Sequence, residues 1–238
     1  MEFVLVVPRR DLFGERAPQG FLPFASAAQL QDFERAVREQ GFFVERERAE
    51  RDPELKQIIP YTIVTRAASA PRVSERGAED LEVLLLKRLA RGGEKRLHDK
   101  LSIGVGGHID AADAEALAGA VGRDAVLETG TRRELHEELA LEHDLTWRRV
   151  GLINDDSNPV GAVHLGLVQV ARARGAVSIR EADVLSGDFA APAALRELLD
   201  GGANFETWSA LLVARLTELI HEPQAVLPQR LETTGTRS

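Results

Sequence analysis

Apolar and polar positions divide the chain into short alternating elements. "EFVLVV" at the start reads as a strand. "SAAQLQDFERAVREQG" reads as a helix, with Ser26 and Gln29 forming a capping box and Gly41 stopping it. "ERERAERDPELK" is a charge run, expected as a solvated connection. "IPYTIVTRA" is rich in β-branched residues and strand-like, and "ASAPRVSERGAED" has loop composition. "LEVLLLKRL" is a continuous apolar run suited to a strand covered on both faces. After the polar "RGGEKRLHDK", "LSIGVGGHID" reads as a strand running into a glycine turn.

The next stretch, "AADAEALAGAVGRDAVLETGTRRELHEELALEH", is helical in character but interrupted by Gly119, Gly122 and Gly130. It predicts a long loop or short helix followed by a main helix. "WRRVGLIND" and "GAVHLGLVQVAR" read as strands joined by the turn-rich "DDSNPVG", and "AVSIREADVLSGDF" as a strand and a loop. "APAALRELLDGG" predicts a helix with a glycine stop, and "FETWSALLVARLTELIHE" an amphipathic helix capped by Asn204. There is no internal repeat. Strands interspersed with helices imply a mixed sheet with helices on its faces.

Composition narrows the chemistry. A chain of 238 residues suffices for one large domain or a domain with an extension. A net charge of −8 argues against bulk nucleic acid and anionic membrane as partners. It leaves room for a small anionic substrate, because a bound cation reverses the local field. The absence of cysteine excludes disulfides, thiolate zinc sites and cysteine nucleophiles. The opening apolar run is too short for a signal peptide, and no stretch approaches a membrane span, so a cytoplasmic protein is expected.

The segment "RRELHEELAL" holds the chemistry. A helix advances about 100° per residue, so Glu134, Glu137 and Glu138 fall within an arc of roughly 100°. Leu135 and Leu139 adjoin that arc and anchor the helix. The acidic arc therefore borders a buried surface, where repulsion between like charges is worse and carboxylate pKa values rise. A divalent cation reverses that cost, and carboxylate oxygens suit hard Mg²⁺. A solvated acidic face, partly neutralised by Arg132 and Arg133, is the simpler alternative. A zinc-protease H-E-x-x-H fails because position 140 is alanine. The glycine turn shifts the balance, since Gly106 and Gly107 let backbone approach a ligand closely.

"GGHID" together with "RELHEELAL" resembles the Nudix box, G-x5-E-x7-R-E-U-x-E-E-x-G-U, where U is a bulky aliphatic. Arg133, Glu134, Leu135, Glu137, Glu138 and Leu141 match it. The resemblance implies an α/β/α sandwich with a mixed sheet, of class α/β (α+β), over residues 59–221. Residues 1–58 are then a strand-helix extension packed on that domain, beside the sheet or over the pocket, and 222–238 a loose tail. It further implies a metal-dependent pyrophosphohydrolase. Glu134, Glu137 and Glu138 would hold Mg²⁺ or Mn²⁺, with the Gly106 carbonyl as an additional ligand, and Arg133 would orient a glutamate. A further catalytic carboxylate from a later loop falls on Glu181 first and Asp183 second.

The box is not intact. About a dozen extra residues separate Gly107 from Arg133, so an insertion lies near "AADAEALAGAVG". The box glutamate eight before the arginine falls on Ala125, for which Asp124 or Glu128 are out-of-register substitutes. The box glycine is Ala140, so the helix either ends on a strained alanine or runs on. These departures favour a second reading, a catalytically weak nucleotide-sensing or protein-interaction module. An isoprenoid-type isomerase of the same fold lacks its cysteine here.

Gly107, His108 and Asp156 are candidates for substrate contact, alongside Asp155 and Asn158 at the rim. His164, Phe205 and Trp208 read first as core residues, although an aromatic at 205 or 208 could stack on a base. The expected partner is a small nucleotide or other diphosphate, with a homodimer left open.

Overall fold

The computed structural model describes residues 1–68, 80–88, 100–116, 124–180 and 182–221. Its axis is β4 (Leu55–Ala67), whose first 11 positions are all buried. Such burial requires neighbours on both edges and both faces. On one edge, β4 pairs in parallel with β9 (His164–Arg172), from Gln57↔His164 to Thr65↔Arg172. On the other it meets β1 (Phe3–Pro8) first, then the glycine segment through Thr62 and Val105, then β5 (Leu81–Arg88). The sheet continues outward from β9 to β8 (Thr146–Asn154) and β2 (Gly20–Pro23), and from β5 to β11 (Leu185–Ala190) and the short β6 (Leu101–Ser102). With β3 (Phe42–Glu45) on β1, the described strands of this mixed sheet number nine.

Alternation along the central strands sorts the core into two sides. Tyr61 and Ile63 of β4, with Val168 and Val170 of β9, face Leu195 of α7 (Pro192–Asp200), Leu212 of α8 (Thr207–Val213) and Leu219 of α9 (Leu216–His221). Ile58 and Val64, with Leu165 and Leu167, face the opposite way. They are covered by Phe33 and Val37 of α2 (Ala27–Gln40) and by Val126, Leu127 and Leu135 of α5 (Asp124–Glu138). Helices on both faces give the expected α/β/α sandwich.

The first 58 residues share this sheet. β1 and β2 pair with strands of the main body, and the Leu5 amide donates to the Ile109 carbonyl at 2.8 Å. A buried cation joins the segments. The Lys56 ammonium, with no solvent exposure, donates to Asp156 at 2.7 Å and to the carbonyls of Gly161 and Ala162. Arg9 and Gln19 donate to the other oxygen of Asp156.

Three local expectations are revised. Ser26 accepts the Gln29 amide, but the Gln29 side chain reaches back to the amide of Ala25 rather than of Ser26. The last helical segment is capped by Glu206, not Asn204, and it divides into α8 and α9. Its start is delayed because Leu101 hydrogen-bonds across Phe205, to the Asn204 carbonyl and the Glu206 amide, holding the chain extended. Ala140 neither adopts a strained helix end nor prolongs the helix. It lies in β7 (Leu139–Leu141), paired with Ser178 of β10 (Val177–Ile179). The tail 222–238 lies outside the described residues. Among those described, no helix is long and apolar enough to cross a membrane.

Candidate functional site

Helix α5 reaches the glycine turn because two glycines let it. A Cβ on Gly130 would stand 2.9 Å from Ile109 and 3.1 Å from an Asp113 oxygen, so the helix needs a bare position there. A Cβ on Gly107 would stand 2.4 Å from Oε2 of Glu134, so the space a side chain would fill at 107 is where that carboxylate lies.

Arg133 organises the helix end. Its Nη1 donates to Glu134 at 2.8 Å and to both oxygens of Glu137 at 3.2 Å, and its Nη2 donates to the His108 carbonyl at 2.7 Å. Its Nε and Nη2 are held by Asp113, at 2.9 and 3.0 Å. Asp113 is nearly inaccessible, at 2% exposure. It sits at the third position of α4 (Ala111–Glu115) in a reciprocal capping box with Asp110. Burial opposes the charge on Arg133, but Asp113 and Glu134 outweigh it and hold the guanidinium above its ordinary pKa. Burial also raises the Glu134 carboxyl, against the lowering influence of Arg133. Glu138 lies 3.5 Å from Arg88. Among the described residues, no three acidic or imidazole groups are drawn together as a metal cluster. The Arg133 guanidinium lies between Glu134 and Glu137.

These groups open onto a cavity of about 890 Å³. Gly106, Gly107 and His108 line it, together with Glu134, Glu137 and Glu138 of α5. The far walls come from Arg46 and Glu50 around α3 (Arg46–Ala49), from α6 (Pro159–Val163) with His164, and from Glu206 to Trp208. Arg46 is braced by Glu50 and Glu2, each at 3.0 Å. His164 Nδ1 lies 2.7 Å from the Val160 carbonyl, and Nε2 of His164 lies 3.2 Å from Nε2 of His108. The carbonyl can only accept, so His164 donates from Nδ1 and accepts from His108. Burial, with the charge of Arg46 next, lowers the His108 pKa to about 3; burial lowers His164 as well. Both rings are therefore neutral at physiological pH.

Most of the sequence candidates thus share one cavity, but Asp156 does not line it. Both of its oxygens are taken up by Lys56, Arg9 and Gln19. Against the cost of burial, those partners lower its pKa to about 2. Glu181 and residues 117–123 of the insertion lie outside the described residues; the start of the insertion is α4.

Sequence reasoning missed Asp113, the buried carboxylate that holds Arg133. The D-x-x-D spacing of Asp110 and Asp113 was its one visible signal. It also missed Arg46, hidden in a charge run that looked solvated.

No family model matches the sequence. The chain is 38% identical over 220 residues to Protein YmaB of Bacillus subtilis (strain 168), covering 89% of this chain and 96% of that protein. Among solved structures it is similar to Tm1382, described as a Nudix hydrolase, with 30% identity, a TM-score of 0.67, and coverage of 92% of this chain and 100% of that one. A Nudix hydrolase from Alicyclobacillus acidocaldarius aligns over 68% of this chain and 91% of its own, with a TM-score of 0.50. At 14% identity, that likeness concerns the fold alone.

Proposed function

The chain belongs to the Nudix hydrolase family, and we propose that it is a divalent-metal-dependent pyrophosphohydrolase. Its substrate on this reading is a nucleoside diphosphate linked to another moiety, and its cofactor Mg²⁺ or Mn²⁺. The charge of the cavity supports this most directly. Among the described residues, seven carboxylates and four basic side chains line it, and both histidines are neutral. An anionic diphosphate entering alone is repelled; one entering with divalent cations is not.

The oxygen donors suit such cations in kind, with Arg133 now holding the place between Glu134 and Glu137. Glu134, Glu137 and Glu138, with the carbonyl of Gly106, offer hard oxygen ligands on one side of the cavity. Bound divalent cations would neutralise phosphate charge and make a water more acidic. The remaining work falls to the chain itself. Arg133 orients Glu134 and Glu137, and Asp113 fixes Arg133. Arg88 and Lys100 suit phosphate oxygens. A glutamate of α5 or Glu181 takes the proton of the attacking water. The sensing-module alternative drew on Ala125, Ala140 and the insertion; against it stand the three retained glutamates of α5 and the carboxylate of Asp113 on Arg133.

A phosphate-release assay over nucleoside diphosphate derivatives, with and without Mg²⁺ and coupled to a phosphatase that frees phosphate from the monoester products, tests the reading. The expected result is Mg²⁺-dependent release that is lost in Glu137→Gln. Release that needs no metal, or that Glu137→Gln leaves unchanged, overturns it.

A further inference from the structure

The wall formed by Glu206 and Trp208 faces the same cavity as the α5 glutamates but approaches from the opposite side of the sheet. Glu206 is fixed in place. Its Oε1 accepts from the Ser209 amide at 2.8 Å, from the Ser209 hydroxyl at 2.6 Å, and from the Tyr61 hydroxyl. Burial, reinforced by Glu206, raises the Tyr61 pKa well above its ordinary value, so Tyr61 remains a donor. The other oxygen, Oε2, accepts, among the described residues, from the Trp208 amide alone, at 3.0 Å. A carboxylate oxygen has two lone-pair sites, so Oε2 keeps one for a ligand. The amides of Trp208 and Ser209 are both consumed by this carboxylate, which leaves them unavailable to an anion.

Trp208 is equally constrained. A Cβ on Gly166 of β9 would stand 2.9 Å from its Cζ3 and 3.1 Å from its Cε3, so the indole rests on bare strand backbone. Tyr61 meets it at 78° with centroids 5.5 Å apart. A held aromatic ring presents stacking area at little entropic cost. A fixed anion beside it repels phosphate and accepts from O–H or N–H groups.

We propose that Glu206 and Trp208 form the subsite for the ring-bearing part of the substrate, a nucleoside that stacks on Trp208 and donates a hydrogen bond to Glu206 Oε2. This rests on the pyrophosphohydrolase reading and adds a polarity to it: phosphates toward α5, nucleoside toward α8. Glu206 and Trp208 are then specificity residues, separate from the groups assigned to the chemistry.

Fluorescence and turnover test it together. The chain has two tryptophans, so Trp147→Phe leaves Trp208 as the sole indole reporter. Adenosine, guanosine, uridine and cytidine are titrated into the full-length protein in Mg²⁺, with inorganic pyrophosphate as the ring-free probe. At least one nucleoside should quench Trp208 saturably, and pyrophosphate should not. If Trp147→Phe folds poorly, the same quenching is read as the difference between wild type and Trp208→Phe. In turnover, Trp208→Leu and Glu206→Gln should reduce the preference for nucleoside-linked over ring-free diphosphates, as a ratio of kcat/KM, by about tenfold or more, the scale of one lost base stack. No quenching by any nucleoside, with that ratio unchanged, overturns the subsite. Nucleoside quenching without hydrolysis of any diphosphate would retain the subsite and overturn the hydrolase reading instead.

Discussion

Asp113 and Arg133 meet in a two-point ion pair, Nε to Oδ1 at 2.9 Å and Nη2 to Oδ2 at 3.0 Å, joining α4 to α5 across the glycine turn. Paired contacts of this kind fix orientation as well as charge. The pair aims the rest of the guanidinium at Glu134 and Glu137. Asp113→Asn preserves volume but sets an amide N–H against a guanidinium N–H. Turnover should fall by about 10- to 100-fold, mostly in kcat, the range found when groups supporting a metal site are changed. Stability should fall by about 1–3 kcal/mol. Steady-state kinetics beside urea melts separate the two; lowered stability with intact kcat would make Asp113 purely structural.

Glu134 allows a test with opposite signs. Its folded-state pKa is raised, chiefly by burial. The folded state therefore loses stability as pH rises from the unfolded carboxylate pKa, about 4.3, through the raised folded value. Glutamine avoids that loss. In chelator at pH 7, Glu134→Gln should melt at or above wild type, with the difference closing toward pH 4. Its hydrolysis should fall by about 100-fold or more. An early-melting mutant in chelator would remove Glu134 from the catalytic group.

Gly107→Ala tests the close approach of the turn to the helix. The new methyl would stand 2.4–2.6 Å from the atoms of the Glu134 carboxylate, which must move. A displacement of about 1 Å in a positioned group can cost on the order of 100-fold in rate. Activity should fall by that order while the melting temperature changes little. Undiminished activity would mean that the position of Glu134 is not critical.

The Lys56–Asp156 pair predicts the acid response. With its pKa at about 2 in the folded state, Asp156 contributes stability that is fully present above its unfolded value of about 3.9. That contribution, about 2 kcal/mol, is lost as pH falls from about 4 toward 2. Asp156→Asn should remove it at neutral pH and, by leaving the buried Lys56 ammonium without its carboxylate, cost about 3–5 kcal/mol in total. Chemical melts of both proteins at pH 7 and pH 3 check this. A neutral-pH loss below about 1 kcal/mol would contradict it.

The acidic arc of α5 and the glycine turn were legible because both depend on local spacing. Helical geometry puts Glu134, Glu137 and Glu138 on one arc whatever the rest of the chain does. Asp113 was not legible in that way, because it reaches Arg133 through a segment with no fixed period. Ala140 was misread for a related reason: pairing with Ser178 decides its conformation, and no local propensity encodes that partner. Asn204 lost the cap to Glu206 because backbone bonding with Leu101 keeps the chain extended past it. Asp156 looked like a rim acid because the buried cation it serves, Lys56, stands 100 residues away at the end of a charge run that read as a solvated connection.

The pairing of β2 with β8, in which Gly20 lies opposite Asn154, bears on how the molecule assembles. When β2 leaves the ribosome, the strand it needs is more than a hundred residues from being made. The same delay separates Leu5 from Ile109 and Arg46 from Trp208, so the cavity closes only after distant segments meet. Ordering so long a loop costs entropy before any contact repays it, and chains dominated by distant pairings fold slowly, in milliseconds to seconds. Until then β2 stands without the strand it pairs with, a state in which nascent chains are prone to aggregate. Recovery of the cavity after dilution from denaturant should therefore lag behind formation of the β8–β9 pair, whose strands are neighbours in sequence.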